Sequence, residues 1–400
     1  MRILFITDFL PYPILGGANL RNNNILQRIS TEHEVWLVAF SKAAEQAKSK
    51  AHFERFCEEV ETVELDISKG ALWHPWQYAE YVLTGRPPEF RFFSSKSLNQ
   101  IIKRLVAKVN FDVIQIDQVH MGLYLDAIPT NERNRTIWSL HDIDYIKFSR
   151  IIKYDPKLSR KMRLWVNNQI VRTWEPRHAG NFARCITVSD VDRRVLEVAN
   201  PKLKVDTVPN GVDGNLYQPL SPSDSKPALL FVGNMDYLPC IDAVLYFYSQ
   251  ILPLIEQAVG PSDFWIVGKD PSAEVRALER KGVHVTGTVG DLCPYYEQST
   301  VCIVPLRAGG GTRLKILEAM AFGRPVVSTS IGCEGLDVID GQHLFITDTP
   351  SKFAESTVRL IRDEELRKQI VQRARDLVMS KYDWGIITKK LMSIYHEVAH

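Results

Sequence analysis

The sequence predicts an α/β protein made of two doubly wound, Rossmann-like parallel-sheet domains facing each other across a cleft. Three observations predict it. Short runs rich in Val and Ile alternate with helical patterns, the alternation stops and restarts once, and a stretch rich in Pro, Gly, Ser and Asp separates the two series. Strands covered by helices on both faces read as continuous apolar runs, as a parallel sheet requires.

The first series opens with "RILFIT" and a helix through "NNNILQRIS". "EVWLVAF" and a charged helix follow, then "DVIQID", "RTIWSLHD" and "RCITVSD". The second contributes five strands, "ALLFVGNMD", "DFWIVGKD", "VHVTGTV", "TVCIVPL" and "RPVVST". Between them "TVPNGVDGNLYQPLSPSDSKPA", Thr207 to Ala228, loses all periodicity after Val208 and reads as the linker. The closing "YDWGIITKKLMSIYHEVAH" keeps helical spacing after the second series has ended. The expected division is therefore 1–205, 206–380, and a helix at 381–400 that returns to the first domain.

A chain of 400 residues is too long for one ordinary core. A hydrophobic fraction of 45% with 24% charged residues fits a soluble globular protein. The net charge of +2 is too small to argue for nucleic acid. No run is expected to supply the roughly 20 apolar residues of a membrane span. Asp8, Pro11 and Pro13 interrupt the apolar N-terminus, so it reads as a first strand and not as a signal sequence. Six scattered cysteines without a CxxC pair favour reduced thiols and a cytoplasmic location over disulfides or zinc.

"PLRAGGGTRLKILEAMAFGRPVV", Pro305 to Val327, concentrates the chemistry. Gly309, Gly310 and Gly311 are expected to form a strand-to-helix turn, with Thr312 capping the helix. Its unpaired N–H groups and aligned dipoles would make an anion site. Arg313 in the first turn opposes the helix dipole and calls for a counter-ion, which a diphosphate supplies. Leu314 and Lys315 follow, and Glu318 stands one turn further in, where a carboxylate accepts two hydrogen bonds from a ribose diol. No Walker triplet is present. Gly16 and Gly17 form a second Gly-rich strand-to-helix turn in the first domain, and the two turns together could close on one diphosphate.

His141 stands at the carboxyl end of "RTIWSLHD", where a His beside an Asp can shuttle a proton, donate a hydrogen bond or bind a metal. His120 is placed similarly. Asp190 and Asp192 read as cap and first turn of a helix, so metal is rejected there. Asp142 to Cys185 carries ten Lys or Arg against four acids, interleaved with Trp165 and Trp174. Arg160, Lys161, Arg163 and Trp165 within it offer a basic amphipathic surface for anionic lipid headgroups or a pyrophosphate-bearing acceptor. The alternative is a solvated helix face.

These residues, in this order, resemble retaining glycosyltransferases of the GT-B fold, family 4 (group 1), of the bacterial exopolysaccharide and glycolipid type. The matching pieces are the Gly16–Gly17 loop, "SLHD", "ITVSD", "VPNGVD", "LLFVGNMD", "VTGTVGDL", "ILEAMAFGRPVVST" and the closing "YDW". The resemblance implies sugar transfer from a nucleoside diphosphate sugar with retained configuration, no cofactor and no required metal. The implied acceptor is a saccharide or a lipid-linked one, and the implied location is the cytoplasm or the inner face of the plasma membrane. Gly17 would meet the diphosphate and His141 would lie beside the transferred sugar. Gly233, Asn234 and the turn from Gly310 to Lys315 would hold the donor, Glu318 the ribose, and Thr288 and Val289 the base.

Two positions depart from the family pattern. Gly310 stands where a sugar-contacting Glu is usual, and Asn234 replaces an Arg, with no lysine following in "MDYLPCIDAV". Arg313, with Lys315, is expected to restore that positive charge. The competing expectation is a nucleotide-sugar-binding or epimerase-type protein without transferase activity.

Overall fold

The computed structural model describes residues 1–14, 16–42, 46–65, 75–214, 216–219 and 226–399. The chain forms two compact units: 1–152 with 157–209 and 387–400, and 153–156 with 210–386.

The first unit holds a seven-stranded parallel sheet in the order β3-β2-β1-β4-β5-β6-β7. Its strands are β1 (Arg2–Phe9), β2 (Glu34–Ser41), β3 (Glu59–Glu64), β4 (Val113–Asp117), β5 (Thr136–Leu140), β6 (Arg184–Thr187) and β7 (Val205–Thr207). The helices that matter below are α1 (Gly17–Ile29), α2 (Gln46–Phe53), α3 (Pro75–Leu83), α4 (Lys96–Lys108), α5 (Asp144–Tyr154), α6 (Leu158–Ala179) and α7 (Asp190–Ala199). Leu4, Ile6, Val38, Ile116 and Trp138 are fully buried at the centre of this core. Strand order reverses between β1 and β4, the place where open α/β sheets bind ligands.

The second unit holds six parallel strands in the order β10-β9-β8-β11-β12-β13, again reversing next to its first strand. They are β8 (Ala228–Val232), β9 (Asp263–Val267), β10 (Val283–Val285), β11 (Val301–Val304), β12 (Val326–Ser328) and β13 (Phe345–Ile346). Gly268, at φ 153°, can only be glycine, because a Cβ there would lie 1.6 Å from the Gly233 carbonyl oxygen.

Strands β3 and β7 carry no continuous apolar run, β13 is only two residues long, and all three are sheet edges. An edge strand has less surface to bury and carries charge instead: Glu59 and Glu61 of β3 pair with Arg104 of α4. Because Val205–Thr207 belongs to the first sheet, the units divide after Pro209 and not at 205/206. Part of the expected linker, Asn215 and residues 220–225, lies outside the described residues. The closing helix starts at Trp384, and the chain joins the first unit from Ile387, later than residue 381. There the Tyr395 hydroxyl donates to Gln115 Oε1 of β4.

One expectation needs correction. Leu238–Val259 is a 22-residue helical stretch long and apolar enough, by length and composition, to cross a membrane. Asp242 and Glu256 interrupt it, and Phe247, Ile251 and Ile255 are fully buried, which is the pattern of a core helix. All six cysteines are free thiols.

Candidate functional site

Two polar centres stand at the carboxyl ends of the two sheets. In the first unit, β4 ends on Asp117, β5 runs into His141, and their register sets Asp117 opposite Ser139. His141 Nε2 lies 3.1 Å from the Asp117 carboxylate, and Nδ1 lies 3.0 Å from Gln118 Nε2. With a neutral ring, Nε2–H donates to Asp117 and Nδ1 accepts from Gln118. Both ring nitrogens are thus engaged, and the side chain is 11% exposed. Of the three roles open to a His beside an Asp, the geometry shows the hydrogen-bond donor, and moving a proton would break one of these bonds.

Asp117 is fully buried and also accepts from Asn22 Nδ2 of α1 at 2.7 Å. Burial opposes its charge, but His141, Asn22 and Arg21 outweigh burial and hold the carboxyl below its ordinary range. Burial lowers the Arg21 guanidinium to about 10, with Asp117 acting against the shift, and Arg21 donates to the Pro209 carbonyl at 2.7 Å.

Gln118 has φ 83°, left-handed backbone that is costly for a residue with a side chain. Its N–H donates to Ser139 and its carbonyl accepts from Trp138 Nε1, and these bonds hold it there. Asp117, Gln118, Asn22 and Arg21 were missed by the sequence reading. The available signal was an acid closing the apolar run "DVIQID" and the unbroken polar run "RNNN" in the helix after the first strand.

His120 stacks on Phe93, with ring centroids 3.8 Å apart, and its Nε2 stands 3.6 Å from Asp8 Oδ2. Gly16 and Gly17 are exposed at the start of α1, which has no side-chain cap and no acid in its first turn. That N-terminus keeps its donors. Asp190 and Asp192 do sit in the first turn of α7, but the cap is Ser189, whose hydroxyl accepts from the Asp192 N–H at 3.0 Å. Asp142 and Asp144 share Lys147. No group of three or more His, Cys, Asp or Glu side chains suited to a metal is found among the described residues. Arg160, Lys161, Arg163 and Trp165 all lie on α6.

In the second unit, β8 ends before Gly233 and β11 leads into the glycine turn. The following helix, Leu314–Ala321, has Arg313 at its cap position and no side-chain cap. Thr312 is therefore not the cap; its hydroxyl accepts from Asn210 Nδ2 at 2.9 Å. Arg313 folds back onto the turn, donating from Nη1 to the Gly311 carbonyl at 2.9 Å, while its buried Nη2 has no partner among the described residues. Gly309, at φ 126°, leaves room for that guanidinium, since a Cβ there would lie 2.7 Å from Nη2. Leu314 is buried, which leaves its main-chain N–H as its contribution.

Lys315 turns under the end of β8. The residue is partly exposed, but its ammonium lies inward, 4.2 Å from the Phe231 ring centroid and 3.8 Å from Cys240 Sγ. A Cβ on Gly233 would lie 2.9 Å from it. Loss of water lowers its pKa, with Cys240 and the Glu318 carboxylate acting against the shift, and among the described residues no carboxylate lies within ion-pair distance of it. Beside it Asn234 Oδ1 is buried without a partner. Glu318 is buried and accepts from the Tyr296 hydroxyl at 3.4 Å, with Tyr217 as a second phenol partner. Burial raises its carboxyl above the ordinary range despite those phenols and Lys315. Thr288 is exposed and Val289 half-buried in the loop after β10. The structure thus gathers Gly233, Asn234, Arg313 and Lys315 around one strand switch, with Glu318 a turn behind.

Comparison with known proteins places this geometry. The chain matches the Glycosyltransferase Family 4 model over residues 15–215 and the group 1 glycosyl transferase model over residues 226–363. A relative from Salmonella typhimurium, lipopolysaccharide 1,2-N-acetylglucosaminetransferase, is 26% identical over 240 residues, 54% of this chain and 63% of that relative. That match spans under two thirds of the relative's length. N-acetyl-alpha-D-glucosaminyl L-malate synthase of Bacillus anthracis is 21% identical over 82% of this chain and 84% of its own. Sucrose-phosphate synthase from Thermosynechococcus elongatus superposes with a TM-score of 0.70 at 18% identity, covering 100% of this chain and 99% of that one. HepE of Anabaena in complex with UDP gives 0.66 at 18% identity, covering 99% and 100%. The fold is GT-B. On the strength of a family model that spans half its length, the chain belongs to glycosyltransferase family 4, among the group 1 glycosyl transferases.

Proposed function

We propose that this chain moves a sugar from a nucleoside diphosphate sugar to a saccharide or lipid-linked acceptor in cell-surface polysaccharide or glycolipid synthesis, with retained anomeric configuration and without a required metal. One observation carries the reading. At the strand switch of the second sheet, the Lys315 ammonium lies inward without an ion-paired carboxylate, and Arg313 Nη2 has no partner among the described residues. A diphosphate supplies acceptors for both cations, and a charge-assisted hydrogen bond is about twice as strong as a neutral one.

In the transfer, the bond from C1 of the sugar to the diphosphate oxygen breaks and the acceptor oxygen bonds to C1. The acceptor's proton ends on the released diphosphate. Negative charge grows on the leaving group, so fixed cations and turn N–H groups stabilise the transition state more than the ground state. The Glu318 carboxylate keeps lone pairs beyond those its phenols use and accepts from the ribose diol. In the first unit, the Asp117–His141 pair holds the imidazole in one tautomer, which suits a fixed polar wall beside a sugar.

A second reading is a nucleotide-sugar-binding protein without transferase activity. The fully engaged His141 ring is the observation in its favour. A thermal-shift panel of UDP-, GDP- and TDP-sugars tests both, with UDP-N-acetylglucosamine first, because two relatives are named for N-acetylglucosamine and HepE was solved in complex with UDP. The expected result is a rise in Tm with one nucleotide family, worth about 2.7 kcal/mol at a hundredfold excess over Kd. Slow donor hydrolysis then separates a transferase from a binder. No shift with any donor rejects both.

A further inference from the structure

The histidines of the first unit are finished differently. His141 has both ring nitrogens engaged, and His178 sets Nε2 2.7 Å from the Gly122 carbonyl oxygen. His120 makes no hydrogen bond from either nitrogen among the described residues. Its Nε2 is buried and faces Asp8 Oδ2 across 3.6 Å, longer than a hydrogen bond. Since Nε2 is buried, the 18% of the side chain that water reaches lies elsewhere on the ring. A ring left unmatched in this way costs stability that a purely structural histidine has no reason to give up.

Packing holds the ring in this orientation. Phe93 stacks on it with 30° between the planes, and Phe90 meets it edge-on at 6.2 Å, both from the short helix Pro88–Phe93. Asp8 is pinned as well. Its Oδ1 accepts from the Phe9 N–H at 2.8 Å and from the Thr7 hydroxyl at 3.3 Å, so Oδ2 is the oxygen turned to the imidazole. A carboxylate on that side favours the proton on Nε2, which leaves the lone pair on Nδ1. The place matters as much as the pair. Asp8 stands at the end of β1 and His120 just after β4, the two strands between which the order of the sheet reverses. Open α/β sheets bind ligands in the crevice at the carboxyl ends of such strands.

We infer that His120 Nδ1 accepts a hydrogen bond from a hydroxyl of the sugar acceptor, with Asp8 holding the imidazole in the tautomer that can do so. This rests on the transfer reading above and names the chemistry at its acceptor end. A neutral saccharide hydroxyl has a proton to donate to the lone pair. An anionic group would meet that lone pair with the Asp8 carboxylate behind it, and is disfavoured. No covalent bond changes at His120, and the acceptor's proton still goes to the diphosphate. The locked ring of His141 and the open ring of His120 then have separate tasks.

Substitution can tell the two nitrogens apart. An Asn side chain puts its amide oxygen where Nδ1 stands, and a Gln side chain reaches the place of Nε2. His120→Asn should therefore keep acceptor recognition and His120→Gln should lose it, whereas a histidine that only packs against Asp8 gives the reverse order. The first measurement is the nitrogen NMR spectrum of the imidazoles in the full chain, without any nucleotide. The probes are methyl glycosides of glucose, galactose, mannose and N-acetylglucosamine. The free protein should show the His120 proton on Nε2, and a glycoside should move the Nδ1 signal while both His141 signals stay. In a transfer assay with that glycoside, His120→Gln should raise KM about tenfold with little change in kcat, and His120→Asn should stay within about threefold. Circular dichroism melts check that both variants fold. No response of Nδ1 to any glycoside, a proton found on Nδ1, or a wild-type KM in His120→Gln overturns the inference. Nucleotide binding with a silent His120 strikes the inference alone, whereas an Nδ1 response without nucleotide binding strikes the transfer reading and leaves a sugar site at His120.

Discussion

The two sheets end in polar centres that are built alike and finished differently. In the first unit the charges close on one another: Asp117 receives His141 and Asn22 and lies near Arg21, and His141 has both nitrogens engaged. In the second, among the described residues, Lys315 has no ion-paired carboxylate, and Arg313 Nη2 and Asn234 Oδ1 are left over. A closed network fixes geometry in advance, whereas an open one stores unmet hydrogen bonds until a ligand arrives. The pKa shifts carry the same contrast. Asp117 is pushed down by its partners, and Glu318 is pushed up by burial that its partners do not overcome.

Breaking the closed centre should have the largest effect. Asp117→Asn leaves Arg21 and His141 without their anion and should cost about 3–5 kcal/mol of stability, read from urea unfolding at neutral pH. Since the folded Asp117 pKa lies below the unfolded one, its contribution is present above the ordinary carboxylate range and lost as pH falls through the folded value. The gap between wild type and variant should close as the medium is acidified through that region. A gap that does not change with pH would show that the network is not held by charge.

The open centre should respond the other way. Lys315→Met should weaken nucleotide binding about 10- to 100-fold by calorimetry, the worth of a hydrogen bond to a charged group. It should leave unfolding stability unchanged or higher, because the variant buries no charge. A large loss of stability would mean that Lys315 is a structural cation. Arg313→Ala should weaken nucleotide binding about tenfold, since Arg313 already spends Nη1 on the Gly311 carbonyl. Unchanged affinity would remove Arg313 from the site.

The smallest effect should be the pH dependence of Glu318. Its folded pKa is raised, so its contribution to unliganded stability is greatest at low pH and declines as pH rises from the ordinary carboxylate range through the raised value. Ribose binding needs the carboxylate, so nucleotide affinity should rise over the same interval, and Glu318→Gln should flatten that rise. An equally steep pH profile in the variant would point to another titrating group.

The sequence by itself determined the class of each domain, ten of the thirteen strands among the described residues and the position of both glycine turns. Those features rest on local causes: apolar runs mark strands buried on both faces, and glycines mark sharp turns. It missed β3 and β7 because edge strands need little apolar surface, and β13 because it is only two residues long; the short β7 alone moved the boundary to Pro209. Only the tertiary structure decided the chemistry of the sites. No spacing shows that Asp117, Asn22 and His141, from three elements, share one network. Nor does it show that Lys315 turns under Gly233. Such contacts join residues far apart in the chain, so packing alone selects them.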